Sequence, residues 1–415
     1  MSQFRFRQLR VENYRCFETL TLPLEENLTV LFAENGGGKT ALLTALAMGM
    51  AVFQRRAPRA LKLDPRRDPR QITMGERGNR REPAGTCTLA WTADTSASGL
   101  VEWSSSVHPA SGRSTYRHGP LLESLERIRQ PGEPWPLFAW YGVERLRRGR
   151  NRTRRSEYTP DRWAAYDSAL DPGLDDGPLL QWLQDELLSD VARERHGEQQ
   201  RFLEKAVLEV AASATPEVDD VWYEPRERSP TVRFKSGSLA SWSELSDGYH
   251  VFIALVADIA RRTAMLNEVN SREALMLVEG VVLIDEIDLH LHPRWQRTVL
   301  ASLCSTFPRL QFVISTHSPQ VLSSAENRQA RLLSAGRIQE NGVYVQGRDT
   351  NAILRDHMHT GDRDDRGAQE LRDLYTAIDR ADRAEAEKQY RKLAEKWGET
   401  DSELIRAKGF MDWED

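Results

Sequence analysis

Apolar and polar positions alternate through "FRFRQLRVENYRCFETLTLPL" from Phe4 onward, the period of two half-buried strands. A continuous apolar run, "LTVLF" at 28–32, then has the character of a strand buried on both faces. After a glycine-rich loop, "KTALLTALAMGMAV" sets Leu42, Leu43, Leu46, Ala47 and Met50 at helical spacing and predicts a helix with one apolar face. Residues 54–82 are rich in Arg and Pro and read as loop. "GTCTLAWTA" and "GLVEWSSSV" read as strands of a small β region, and "PLFAWYGVERL" (136–146) as another buried strand. Residues 147–177 are polar and dotted with Pro, Gly and Asp, as in a linker. A helical pattern runs from Pro178 to about Ala212 with Leu179, Leu180, Leu183, Leu187 and Leu188 on one side, and Gly197 divides it. "VWYEPRERSPTVRF" reads as strand, turn, strand.

The second half is more regular. "HVFIALVADIARRTAML" predicts a buried helix, "GVVLIDE" a core strand, "HPRWQRTVLASLCSTF" a helix with Pro293 near its start, and "LQFVIST" the next core strand. The last fifty residues are helical in pattern and balanced in charge. Strands alternating with helices predict a doubly wound α/β fold. Four segments follow: an N-terminal lobe over 1–146, a helical insertion over 147–235, a second lobe over 236–345 and a helical tail over 346–415.

Chemistry gathers at the strand ends. "AENGGGKT" (33–40) lies between a buried strand and a helix and departs from G-x-x-x-x-G-K-[ST] only at Ala33. Its backbone N–H groups form a nest for phosphate at the positive end of a helix. The nucleotide-contact set is Asn35, Gly36, Gly37, Gly38, Lys39, Thr40 and Ala41. Lys39 reaches the β- and γ-phosphates, and Thr40 is a ligand for Mg²⁺. Ala33 is harmless where its φ is negative. "VVLIDEIDLHLHP" ends a core strand in Asp285 and Glu286: the first suits Mg²⁺, the second a general base for the attacking water. "ELSDGYH" places Ser246 and Gly248 at the mouth of a buried helix; alone, that is an N-cap. In "FVISTHSP", His317 follows the next strand, within reach of a γ-phosphate or the water.

Composition narrows the class. The chain has 415 residues, 40% hydrophobic and 29% charged, with a net charge of −5. No apolar run is long enough to span a membrane and the N-terminus lacks a signal-peptide core, so a cytoplasmic protein is expected. The three cysteines have no disulfide or zinc spacing. Seven arginines, Arg145, Arg147, Arg148, Arg150, Arg152, Arg154 and Arg155, crowd one stretch, and another basic run lies between Arg55 and Arg81. They read two ways: Arg as the favoured cation, or a surface for DNA or RNA phosphates. Asp362, Asp364 and Asp365 read as a solvated loop. The pairs His290/His292 and His357/His359 lack an evident third ligand for a metal.

The order of motifs, glycine loop, LSxG, apolar strand ending in Asp-Glu, then His, resembles the ATP-binding-cassette ATPases. The resemblance implies a P-loop head with a mixed, largely parallel core sheet, a small β lobe, an inserted helical region and a helical tail. It also implies ATP and Mg²⁺ as ligands, and a head-to-tail homodimer, or a higher oligomer, in which Ser246 and Gly248 of one copy cap the nucleotide of the other. "LRVENYRCFETLTLPL" is similar to the opening of SMC, RecF and OLD-type ATPases, whose N-F-R motif brings an arginine, here Arg15, near the phosphates. "LSDGYHVFIALVADIARRTAMLN", "GVVLIDEIDLHLHPRWQRTVL" and "FPRLQFVISTHSPQVLSSAEN" resemble the bacterial ATPase family that includes PtuA, of the Septu and some retron anti-phage systems. That likeness covers the first fifty residues and everything after about 235. It implies an ATPase that regulates a separate HNH-type nuclease of the PtuB kind. The alternative is a RecF/SMC-like ATPase of DNA repair or chromosome maintenance that grips nucleic acid through the arginine run. Tyr249 stands where Gln or Glu usually follows LSxG, a departure shared by the PtuA-like group, and Gln71 is the one candidate for the coupling glutamine of such ATPases.

Overall fold

The computed structural model describes residues 4–54, 61–74, 80–96, 98–128, 130, 133–145, 162–173, 175–196, 201–267, 271–339, 343–358 and 363–412. The chain begins β1 (Phe4–Tyr14), β2 (Phe17–Pro23), β3 (Leu28–Ala33), α1 (Lys39–Met50), β4 (Gln71–Met74), β5 (Arg80–Pro83), β6 (Cys87–Thr95), β7 (Gly99–Val107), β8 (Ser114–Arg117), α2 (Leu121–Ile128) and β9 (Leu137–Tyr141). It continues α3 (Gly177–Arg195), α4 (Leu203–Ala214), β10 (Val218–Glu224), β11 (Ser229–Phe234), β12 (Leu239–Ser241), α5 (Asp247–Asn267), α6 (Arg272–Met276), β13 (Gly280–Ile284), α7 (Pro293–Gln296), α8 (Val299–Thr306), β14 (Leu310–Ser315), α9 (Pro319–Ser323), β15 (Ala330–Ser334) and β16 (Arg337–Ile338). Four helices close it: α10 (Thr350–His357), α11 (Asp365–Asp379), α12 (Arg383–Trp397) and α13 (Ser402–Asp412).

The core sheet has the order β16-β15-β3-β14-β13-β9. All its pairings are parallel except the edge pair β15–β16. Strands β3, β9, β13 and β14 are buried at every position, as continuous apolar runs in a covered parallel sheet must be. A second, antiparallel sheet, β2-β1-β6-β7-β8, packs against it. Phe4 meets Phe53 and Phe138 edge-on, at ring-centroid distances of 4.8 and 5.0 Å. The buried Gln311 of β14 exchanges hydrogen bonds with both the N–H and the carbonyl of Phe6, tying the sheets together. Helix α1 lies between them and is buried on all sides, where the spacing predicted a single apolar face. The Trp91 indole of β6 covers its outer side and donates to the Ala45 carbonyl at 2.9 Å.

Three other readings are corrected. The stretch 54–82 contains a hairpin strand, β4, paired with β5. The helix expected over 292–307 is two helices, α7 and α8, separated by a tight turn in which the Thr298 N–H bonds the Trp295 carbonyl. The buried face of α3 is Leu179, Trp182, Leu183, Glu186 and Asp190, while Leu188 is 57% exposed. Asp190 turns inward to accept from the N–H groups of Arg201 and Phe202, in the segment leading into α4.

The chain divides into two compact units, Met1–Arg348 and Asp349–Asp415. The second has its own small core of Leu374, Leu393, Leu404 and Ala407. Asp364 accepts from the Gly367 N–H as the N-cap of α11. Asp362 and His359 lie outside the described residues. Among the described residues no group of three His, Cys, Asp or Glu is placed to hold a metal, and no helix is long and apolar enough to cross a membrane.

Candidate nucleotide site

The C-terminal ends of four adjacent parallel strands converge, the place where open α/β sheets bind ligands. The end of β3 turns into the glycine loop. Its left-handed positions are Gly36 (φ +79°) and Gly38 (φ +93°), while Ala33 has no positive φ. The departure at Ala33 therefore costs the turn nothing, because glycines hold the positions that require them. Ala33 also makes Gly37 obligatory, since a Cβ there would come within 2.6 Å of its own. Gly38 caps α1 with no side-chain acceptor, so the N–H groups of the first turn are left to a ligand or solvent. The turn between β1 and β2 covers the loop: a Cβ on Gly38 would strike Phe17 and Cys16.

Lys39 is buried and donates from Nζ to the Ala33 carbonyl at 3.1 Å. Burial lowers its pKa, against the pull of Asp285, Glu286 and Asp288. The Thr40 hydroxyl donates to Asp285 Oδ2 at 2.7 Å, across 245 residues of sequence. Two hard oxygen donors at one point fit Mg²⁺ better than a softer ion. On the other side, Asp285 Oδ1 accepts from the Ser315 hydroxyl, which also receives the Glu286 N–H at 2.8 Å. Thr316 donates to Asp288 at 2.5 Å, and the His317 N–H lies 3.3 Å from the same carboxylate oxygen. These bonds lock the segment after β13 to the segment after β14. His317 Nε2 and Glu286 Oε1 come to 4.0 Å, both side chains about a third exposed. Glu286 has φ +47°, a left-handed conformation that costs a non-glycine residue about 1–2 kcal/mol.

The structure thus brings Lys39, Thr40, Asp285, Glu286 and His317 together. It adds Ser315 and Asp288, which sequence reasoning missed although both sit inside the quoted motifs. Gly248 is buried against the loop that follows Glu286, where a Cβ would lie 2.5 Å from the His290 carbonyl. Ser246, just before it, is exposed at the start of α5. Tyr249 is held edge-on by Trp295 at 4.1 Å and donates to Glu217, so here an aromatic anchor replaces the usual polar residue. His292 caps α7. Gln71 is exposed and bonds the Pro69 carbonyl, with no bond to the site among the described residues.

Two arginines are held by other groups of the chain. Arg15 adjoins the turn over the glycine loop, and its guanidinium pairs through Nε with the buried Asp68 at 3.2 Å. Arg145 is not a surface cation: it is 2% exposed, with Nη1 donating to the carbonyls of Gly142 and Asp285 and Nη2 to that of Glu286. The strand before it delivers it beneath the carboxylates, which a charge count cannot register. Arg147, Arg148, Arg150, Arg152, Arg154 and Arg155 lie outside the described residues.

A parallel sheet with a glycine loop at the end of β3 and an Asp-Glu pair at the end of β13, one strand removed, defines a P-loop nucleotide-binding fold. The chain belongs to the family described as "AAA domain, putative AbiEii toxin, Type IV TA system", whose model matches residues 28–323. It is 39% identical over 152 residues to the retron Vc95 probable ATPase of Vibrio cholerae, covering 36% of this chain and 29% of that one. It is 26% identical to the retron Ec83 probable ATPase of Escherichia coli, over 80% of this chain and 72% of the relative. The Septu protein PtuA of Bacillus mycoides is 44% identical over 84 residues, 20% of this chain and 11% of PtuA. The match thus spans less than a third of the Vibrio and Bacillus relatives.

Proposed function

We propose that this chain binds ATP with Mg²⁺, hydrolyses it at the Lys39–Thr40–Asp285–Glu286 site, and acts in anti-phage defence by regulating a partner effector nuclease. The carrying observation is the Thr40–Asp285 hydrogen bond: the glycine loop and the carboxylate strand present two oxygens to one point, with Glu286 and His317 beside it. Mg²⁺, when bound, supplies charge neutralisation for the phosphates. Lys39 leaves the Ala33 carbonyl for phosphate oxygens, a stronger, charge-assisted pairing. Glu286 orients and deprotonates the attacking water, and His317 steadies the Glu286 carboxylate from the neighbouring strand end. The defence role is supported by the retron and Septu names of the relatives; the head-to-tail dimer and the HNH-type nuclease partner rest on the family resemblance of the motifs alone.

Substituting Glu286→Gln keeps the side chain's shape and removes the base. The variant is expected to bind Mg-ATP and to lose turnover by about 10²–10⁴-fold. Hydrolysis at the wild-type rate would overturn the assignment. Affinity purification of the tagged chain in Mg-ATP, followed by mass spectrometry, tests the partner: a stoichiometric nuclease is expected, and DNA alone would overturn that part.

A further inference from the structure

Glu286 keeps its left-handed backbone although nothing about a glutamate favours it. Its N–H is held by the Ser315 hydroxyl at 2.8 Å, and the following N–H, of Ile287, by the Ser315 carbonyl at 3.1 Å. Its own carbonyl is held by Arg145 Nη2 at 3.0 Å, and the preceding carbonyl, of Asp285, by Arg145 Nη1 at 2.6 Å. Arg145 is itself fixed, since its N–H and Nη1 both bond the Gly142 carbonyl at the exit of β9. One planar guanidinium therefore spans two strand exits, 140 residues apart in sequence, and grips the two peptide units on either side of Glu286's α-carbon. Burial pushes its pKa down to about 10, with Asp285, Asp288 and Glu286 pulling it back up, so it is a cation at neutral pH. A buried cation whose two Nη groups donate to three backbone carbonyls contributes geometry that an apolar residue of the same volume does not.

We propose that Arg145 is a positioning residue for Glu286: it sets the backbone from which the carboxylate is aimed at the attacking water, without touching nucleotide. The inference rests on the reading of Glu286 as the base.

The test uses the full chain carrying Arg145→Met, Arg145→Lys and Glu286→Gln, alone and combined. It reads single-turnover ATP hydrolysis and the binding of ATPγS with Mg²⁺. Arg145→Met is expected to lower the rate by ~10²-fold, the cost of a base misplaced by about 1 Å, while ATPγS affinity stays within about twofold. Arg145→Lys, which keeps the charge and loses the fork, is expected to fall between. In the Glu286→Gln background neither Arg145 variant should slow hydrolysis further, because both changes act through one carboxylate. Rates that multiply in the double variant, or an ATPγS affinity that falls in step with the rate, would overturn the proposal in favour of a structural role. Should Arg145→Met fail to fold, Arg145→Lys alone and in the Glu286→Gln background decides by the same criteria. An inactive Glu286→Gln beside a fully active Arg145→Met would sink this inference and leave the base reading standing. A Glu286→Gln that turns over like wild type would sink both.

Discussion

At the scale of single residues the site depends on who holds the carboxylates. Ser315 is the clearest case, because its hydroxyl serves Asp285 and Glu286 at once. Ser315→Ala leaves the Glu286 N–H and one Asp285 oxygen short of a partner. The expected loss is about 1–3 kcal/mol of stability, read from the urea midpoint, together with a higher Mg²⁺ requirement for ATP hydrolysis. An unchanged Mg²⁺ titration would place Ser315 outside the site's chemistry. Lys39, Thr40, Asp285, Glu286 and His317 were legible in the sequence because each sits in a short motif whose spacing is itself the signal. Arg145 was not, since its partners are 140 residues away and its neighbours are six more arginines. Nor could the sequence show that the Arg15 guanidinium is engaged by Asp68, a contact made across 53 residues.

At the scale of elements, alternation and continuous apolar runs located the strands that position the site, because burial on one face or two writes directly into residue choice. Faces of helices were less legible. Trp91 reaches across from another sheet to cover α1, and Asp190 is turned inward on α3 to hold the N–H groups leading into α4; both depend on tertiary neighbours. One glycine in the sheet has a measurable role. Gly280 opens β13 with φ +140°, and a Cβ there would lie 2.0 Å from the Leu137 carbonyl oxygen of the neighbouring strand. No flexible side chain is available to give way, since the obstacle is backbone. Gly280→Ala must therefore part β13 from β9 at its first residue pair, and β13 carries Asp285 and Glu286 at its other end. The expectation is a destabilisation of about 3 kcal/mol or more in chemical denaturation, with ATP turnover falling alongside it. A variant as stable as wild type would mean that the strands part without cost.

At the scale of the whole molecule, what remains to explain is why Ser246 and Gly248 are built at all. Gly248 seats the start of α5 on the loop after Glu286, which accounts for the glycine. It does not account for Ser246, which is exposed at the helix start. If Ser246 serves a nucleotide held by a second copy, the two functions separate between chains. A Lys39→Ala chain cannot hold the phosphates but offers an intact Ser246. A Ser246→Arg chain is the reverse, with its own glycine loop intact and its cap blocked by bulk and charge. Each should be nearly inactive alone. Mixed in equal amounts with Mg-ATP, they should recover activity, because half of the mixed dimers' sites pair an intact Lys39 with an intact Ser246. For random pairing, half of all dimers are mixed and each has one such site, so about a quarter of the wild-type rate is the ceiling. The same logic predicts that Glu286→Gln with Mg-ATP runs as a dimer in size-exclusion chromatography, and that adding Ser246→Arg returns it to monomer while ATP still binds. Activity in the unmixed Ser246→Arg chain would show that one copy suffices, and the exposed serine would then be no more than a helix start.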